Sequence, residues 1–176
     1  MRTGGFKNLA EANRANLLYV QAEEAWRGND VRSAFRLFLA SAKAGMVPAF
    51  GIVGQFYARG EGVAKNDRAA LNWYQRAADN GDDSAANNAG CIWRDRGNLA
   101  RALQWFERAA KLGDPDANLE IAKVYLRKKD PARARPYLVR VRKSAWATEQ
   151  SKEEAQALVN AMAQPQSRRR SVPVEP

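Results

Sequence analysis

Few side chains in this sequence are of a type that does covalent chemistry. Cys91 is the one cysteine of the 176 residues, and histidine is absent. A thiol without a nearby base is a poor catalyst, and the commonest general base and imidazole ligand are both missing. One thiol excludes an intrachain disulfide and a Cys/His zinc site. The Gly60-Glu61-Gly62-Val63 segment lacks the lysine-serine ending and strand-turn-helix setting of a phosphate loop, so it is expected to be a turn between helices. No paired carboxylates or activated nucleophile stand out, and the expectation is a protein that is not an enzyme and needs no metal or cofactor.

What the chain does offer is cationic. Lys and Arg number 29 against 19 Asp and Glu, a formal charge of +10. The excess is concentrated: residues 116–148 hold nine lysines and arginines against three acids. Lys128, Lys129, Arg133, Arg135, Arg140, Arg142 and Lys143 form a basic run beside Arg127 that could meet the phosphates of a nucleic acid or another polyanion. The aromatic residues that would stack on bases are mostly needed for the core, which weakens that reading. Arg168-Arg169-Arg170 adds a short basic motif near the C-terminus.

The elements that must carry these groups are read from a repeat. Alanines at Ala34, Ala70, Ala102 and Ala134 step by 36, 32 and 32 residues, and glycines at Gly45, Gly81 and Gly113 step by 36 and 32. Asp30, Asn66, Asn98 and Asp130 stand four residues before the alanines, and small residues recur at Ala22, Gly54, Gly90 and Ala122. Self-similarity at this period indicates helical units that cover one another's apolar faces. The runs Ala70–Gly81 and Ala102–Gly113 show broad apolar helical stripes. The Asp and Asn ladder is placed to cap these helices, and the glycines to end them in a left-handed residue. Tyr57, Trp93 and Tyr125 follow their small residues by three and are expected to fill space between helices. Pro136 should kink the last of these helices or delay its start.

The expected fold is all-α: a right-handed α/α solenoid of about four helix pairs, at residues 9–47, 48–83, 84–115 and 116–148. A capping helix at 149–163 has Ala155, Leu158, Val159 and Met162 on one face. Residues 1–8 are expected to be flexible and 164–176, with three prolines, a disordered basic tail. No apolar run reaches the length of a membrane helix, and no signal-peptide core is evident. The expected location is cytoplasmic, or periplasmic if a signal was removed before this numbering.

The run Tyr57–Gly81 resembles a Sel1-like repeat, a relative of the tetratricopeptide repeat, through Tyr57, Gly60, Gly62, Val63, Asp67, Ala70, Trp73, Tyr74, Ala77, Ala78 and Gly81. The third repeat keeps the second half of the pattern in a shorter form, and the first and fourth keep the small-residue skeleton. The resemblance implies a superhelix acting as an adaptor, in most cases bacterial, that holds other proteins. Cysteine-rich secreted members of the family, with reported β-lactam chemistry, are a poor guide to a chain with one cysteine.

The resemblance also implies an inner, concave wall built from the first helix of each pair, with groove positions one, four and five residues after the small residue. Here these are Glu23, Trp26 and Arg27; Gln55, Ala58 and Arg59; Cys91, Arg94 and Asp95; and Lys123, Leu126 and Arg127. Tyr19 and Asn87, three residues before their small residues, are expected to share the face. Tyr19 stands where the first lysine of a tetratricopeptide carboxylate clamp would be, so that clamp is not reproduced. Arginine pairs carboxylates bidentately, so the expected partner is a protein or peptide with an acidic segment. Arg94 beside Cys91 could lower that thiol's pKa.

Overall fold

The computed structural model describes residues 8–163, and the expected flexible start before Asn8 and the basic tail 164–176 lie outside them. Among the described residues the chain is helical throughout. The helices are α1 (Leu9–Arg27), α2 (Val31–Lys43), α3 (Pro48–Arg59), α4 (Asp67–Asp79), α5 (Asp83–Asp95), α6 (Leu99–Leu112), α7 (Ala117–Arg127), α8 (Pro131–Lys143) and α9 (Glu149–Ala163). Each packs on its neighbours in chain order, and α3 also touches α5. This is a solenoid of helix pairs. None of its helices is long and apolar enough to cross a membrane.

Local chemistry sets the helix starts. The side chains of Asp30, Asn66, Asn98 and Asp130 accept from the backbone N–H of Ser33, Ala69, Arg101 and Arg133 at 3.1, 3.0, 3.1 and 3.1 Å. Each satisfies one of the donors a helix start leaves open. Asn8, expected in the flexible start, instead caps α1 by accepting from Glu11 N at 2.9 Å. Asp82 caps α5 in the same way. At the opposite ends Gly45, Gly81 and Gly113 have φ of 101°, 94° and 114°.

The turn inside each pair is also left-handed, but not always at glycine. Asn29, Gly97 and Lys129, each directly before its cap, have φ of 61°, 76° and 58°. In the second pair the four extra residues lengthen this connection to Gly60–Asn66, and Gly60 and Gly62 take φ of 75° and 65°. The segment is a helix-to-helix turn.

Pro136 does not delay α8, which begins at Pro131 and runs through it. The ring costs one backbone bond, the one its missing N–H would have given Ala132. The helix is nonetheless held by buried Ala134, Leu138 and Val141 against Leu119, Ala122 and Ala155.

The core is a series of buried clusters linked from pair to pair by the half-buried Trp105, Ala110, Tyr125 and Tyr137. Phe35, Phe38, Phe50, Phe56, Trp73 and Tyr74 fill the first half, and Phe106, Ile121, Val124 and Leu138 the second. A fully buried ring such as Phe106 contributes roughly 2–3 kcal/mol of transfer free energy. Tyr57 meets Phe35 edge-on at 5.3 Å, and Tyr125 stacks on Tyr137 at 5.7 Å. The two ends differ. At the C-terminal end α9 lays Ala155, Leu158, Val159 and Met162 onto α7 and α8. On α1 Leu9 and Leu17 remain 76% and 57% exposed.

Candidate functional site

The first helices α1, α3, α5 and α7 present three adjoining clefts along one face. The first, of about 270 Å³, is lined by Glu23, Trp26 and Arg27 of α1, Phe38, Ile52, Gln55, Phe56 and Arg59, and Glu61. The second, of about 420 Å³, includes Gln55, Ala58, Arg59, Lys65, Cys91 and Asp95. The third, of about 580 Å³, is lined by Arg94, Asp95, Lys123, Leu126, Arg127 and, from α9, Leu158. Gln55 and Arg59 line both of the first two, and Asp95 lines both of the last two, so neighbouring clefts share a wall. All twelve positions read one, four and five residues after the small residues line this series. α9 extends the wall past the four pairs, a contribution the sequence pattern did not reveal.

Tyr19 and Asn87 lie off the clefts. The Tyr19 ring packs edge-on against Phe38 at 5.4 Å. Burial, with Glu23 beside it, raises its pKa above the ordinary phenol value. Asn87 turns its Oδ1 into a buried position without a hydrogen-bond partner among the described residues.

The wall is less cationic than its arginines suggest, because acids from neighbouring helices meet them. Arg94 Nη1 pairs with Glu120 and its Nε with Asp95 at 3.1 Å. Lys123 Nζ lies 3.0 Å from Glu120 and 2.9 Å from Glu154, so one network joins α5, α7 and α9. Hydrogen bonds to Glu154 and Glu120 outweigh burial and raise the Lys123 pKa. Arg27 pairs with Glu23 at 3.4 Å and Arg59 with Glu61 at 3.6 Å, both in exposed settings where such pairs are weak. Arg127 forms no ion pair among the described residues and reaches only the Arg94 carbonyl, at 3.5 Å.

Cys91 is not activated. Burial raises its thiol pKa and outweighs the opposing charge of Arg94, so the neighbouring cation does not produce a thiolate.

The basic run divides in space. Lys128, Lys129 and Arg133 sit at the α7–α8 turn, whereas Arg140, Arg142 and Lys143 sit at the far end of α8. From Arg133 to Lys143 the helix rises about 15 Å. Arg133 is engaged by Asp130 at 3.2 Å, Arg140 lies over the Tyr137 ring, and Arg135 is exposed between the two groups. Next to the second group Trp146 is 85% exposed on the short connection to α9. Trp146 follows no repeat position, so the period gives no signal for it.

The fold and the continuous face define a helical-repeat scaffold. The Sel1 repeat family model matches residues 27–46, 52–82 and 92–114, so the chain carries Sel1 repeats over this stretch. Repeats of this kind generally serve as protein–protein interaction scaffolds rather than catalysts. Among solved structures, the chain is similar to a Sel1 repeat protein from Oxalobacter formigenes, with 25% identity, a TM-score of 0.68, and coverage of 89% of this chain and 67% of that one. A protective antigen of uropathogenic Escherichia coli with an SLR fold superposes with a TM-score of 0.70 at 23% identity over 92% of this chain, which spans 37% of the antigen's length. MamA superposes with a TM-score of 0.63 at 17% identity, over 85% of this chain and 84% of that one. The last two likenesses are of fold alone. Comparison with curated proteins gives no match.

Proposed function

We propose that the chain is a non-catalytic adaptor that holds an extended segment of a partner protein in the row of clefts along α1, α3, α5, α7 and α9. The observation that carries this reading is the adjacency of the clefts, which share Gln55, Arg59 and Asp95 as common lining. An extended segment buries enough surface for specific binding only where depressions join, and amide and guanidinium groups along the floor can satisfy its backbone. Arg127, without an acid of its own, and exposed Lys65 in the second cleft favour a segment that carries acidic residues. Arg94 and Lys123 are poorer candidates for that role, since Glu120, Asp95 and Glu154 already neutralise them.

The test is the double variant Arg59→Glu with Arg127→Glu, both exposed. Partner proteins recovered with the tagged wild-type chain should be lost by at least tenfold, while circular dichroism stays unchanged. Recovery at wild-type level from a normally helical variant would refute the reading. A shift of labelled RNA or DNA that weakens steeply between two salt concentrations, and survives the double variant, would instead point to the basic surface of α8.

A further inference from the structure

The three clefts differ in chemistry, and the difference describes the segment they would take. In the first cleft Trp26 is 46% exposed and meets Phe56 edge-on at 5.2 Å. Phe38, Ile52 and Phe56 supply further apolar wall. The two cations at its rim, Arg27 and Arg59, are each closed by an acid, Glu23 and Glu61. These exposed pairs are weak, so a charged group entering here would find little electrostatic gain over water. An apolar side chain would remove water from the half-exposed indole at no electrostatic cost. The volume of about 270 Å³ suits one bulky side chain better than a whole small molecule. Trp26 has no counterpart along the wall, where the equivalent positions are Ala58, Arg94 and Leu126. The aromatic anchor point is therefore confined to one end. At the other end the third cleft holds Arg127, whose guanidinium lacks an acidic partner among the described residues.

We infer that the cleft around Trp26 is an anchor pocket for a single bulky aliphatic or aromatic side chain of the partner, followed along the same segment by an acidic residue that meets Arg127. This deepens the adaptor reading and rests on it. The spacing follows from geometry. The first cleft lies between α1 and α3 and the third between α5 and α7, two first-helix intervals apart. Because these helices pack mainly through the second helices, the span is at least about 18 Å, twice the roughly 9 Å of directly packed helices. An extended chain needs at least about five to six residues to cover that. Gln55, which lies between the first two clefts and is exposed, is placed to hydrogen-bond the peptide backbone on the way.

The experiment is selection of a displayed library of random 14-residue peptides on the full chain, followed by affinity measurement of synthetic peptides from the selected set. The selected sequences should share one bulky apolar residue and an Asp or Glu at least about five positions away. Alanine at the apolar position, or Trp26→Ala in the protein, should each weaken binding by at least tenfold. Trp26→Phe should restore most of the affinity, and Trp146→Ala, remote from the clefts, should leave it unchanged. Peptides that bind, lose affinity in the Arg59→Glu with Arg127→Glu variant, yet bind Trp26→Ala normally would overturn the anchor pocket while leaving the groove. If no selected peptide responds to either set of variants, both the pocket and the groove reading fail.

Discussion

Gly54 of α3 lies directly against the ring of Tyr74 of α4: a Cβ added at Gly54 would stand 2.5 Å from Tyr74 Cε1. Gly90 has the same relation to Phe106, where Cε1 would be 2.5 Å away. The small-residue ladder and the large residue twenty or sixteen positions on are thus two halves of one contact, repeated through the solenoid. Tyr74 is buried in the same cluster as Ala70, Trp73 and Ala77, and its ring would have to shift to admit a methyl group. Gly54→Ala should lower stability by about 1–3 kcal/mol, the cost of overfilling a packed site, despite alanine's better helix propensity. Chemical denaturation of the two chains measures it, and an alanine variant as stable as wild type would show that the helices can part.

Lys129 supports a second prediction. Its φ of 58° places a side-chain-bearing residue in the left-handed region, which costs roughly 1–2 kcal/mol outside glycine. Gly97 occupies the equivalent turn of the preceding pair without that cost. Lys129→Gly should therefore raise stability by up to about 1 kcal/mol, part of the gain being offset by glycine's freedom when unfolded. Lys129→Val should lower it, since β-branching makes this region worse. Thermal melts of both variants decide the matter.

Asp114 gives a pH dependence. Its carboxylate accepts from Asp116 N at 2.8 Å and Ala117 N at 3.1 Å, yet burial, together with Asp83 and Asp116, raises its pKa above the usual carboxylate value. A group whose folded pKa is raised contributes its full stability below the unfolded pKa and loses it as pH rises through the folded one. Asparagine keeps the acceptor without the charge. Asp114→Asn should melt higher than wild type near pH 7, with the difference shrinking towards zero near pH 3. A constant difference across that range would show that the charge is irrelevant.

Cys91 should be slow to alkylate. Its thiol pKa is raised by burial, so at pH 8 less of it is thiolate than in an unfolded chain. Iodoacetamide should modify the native protein several-fold more slowly than the same protein in denaturant, and equal rates would contradict the burial argument.

The caps at Asp30, Asn66, Asn98 and Asp130 were legible in the sequence because each acts on a backbone N–H three residues away. The wall positions came from the resemblance to related repeats, and the common period then places them at equivalent points of successive first helices. The ion network was not legible. Glu120 lies 26 residues from Arg94, and Glu154 reaches Lys123 from α9, outside the repeat that a period reveals. The arginines therefore read as a continuous cationic row, when distant acids had already met Arg94 and Lys123. Pro136 misled in part for a related reason: a local rule allowed a late start, whereas α8 begins at Pro131 and runs through Pro136 with Leu138 and Val141 buried beyond it. Asn29 and Lys129 went unnoticed because their conformation follows from the tight connection and not from their residue type.

The unlike ends of the stack make it a directional building block. A helix pair grafted ahead of α1 would find Leu9 and Leu17 waiting to be covered. One grafted after α9 would have to blanket Glu149 and Glu153, exposed on the final helix. Longer arrays engineered from this unit should therefore tolerate growth from the α1 side and resist it from the other.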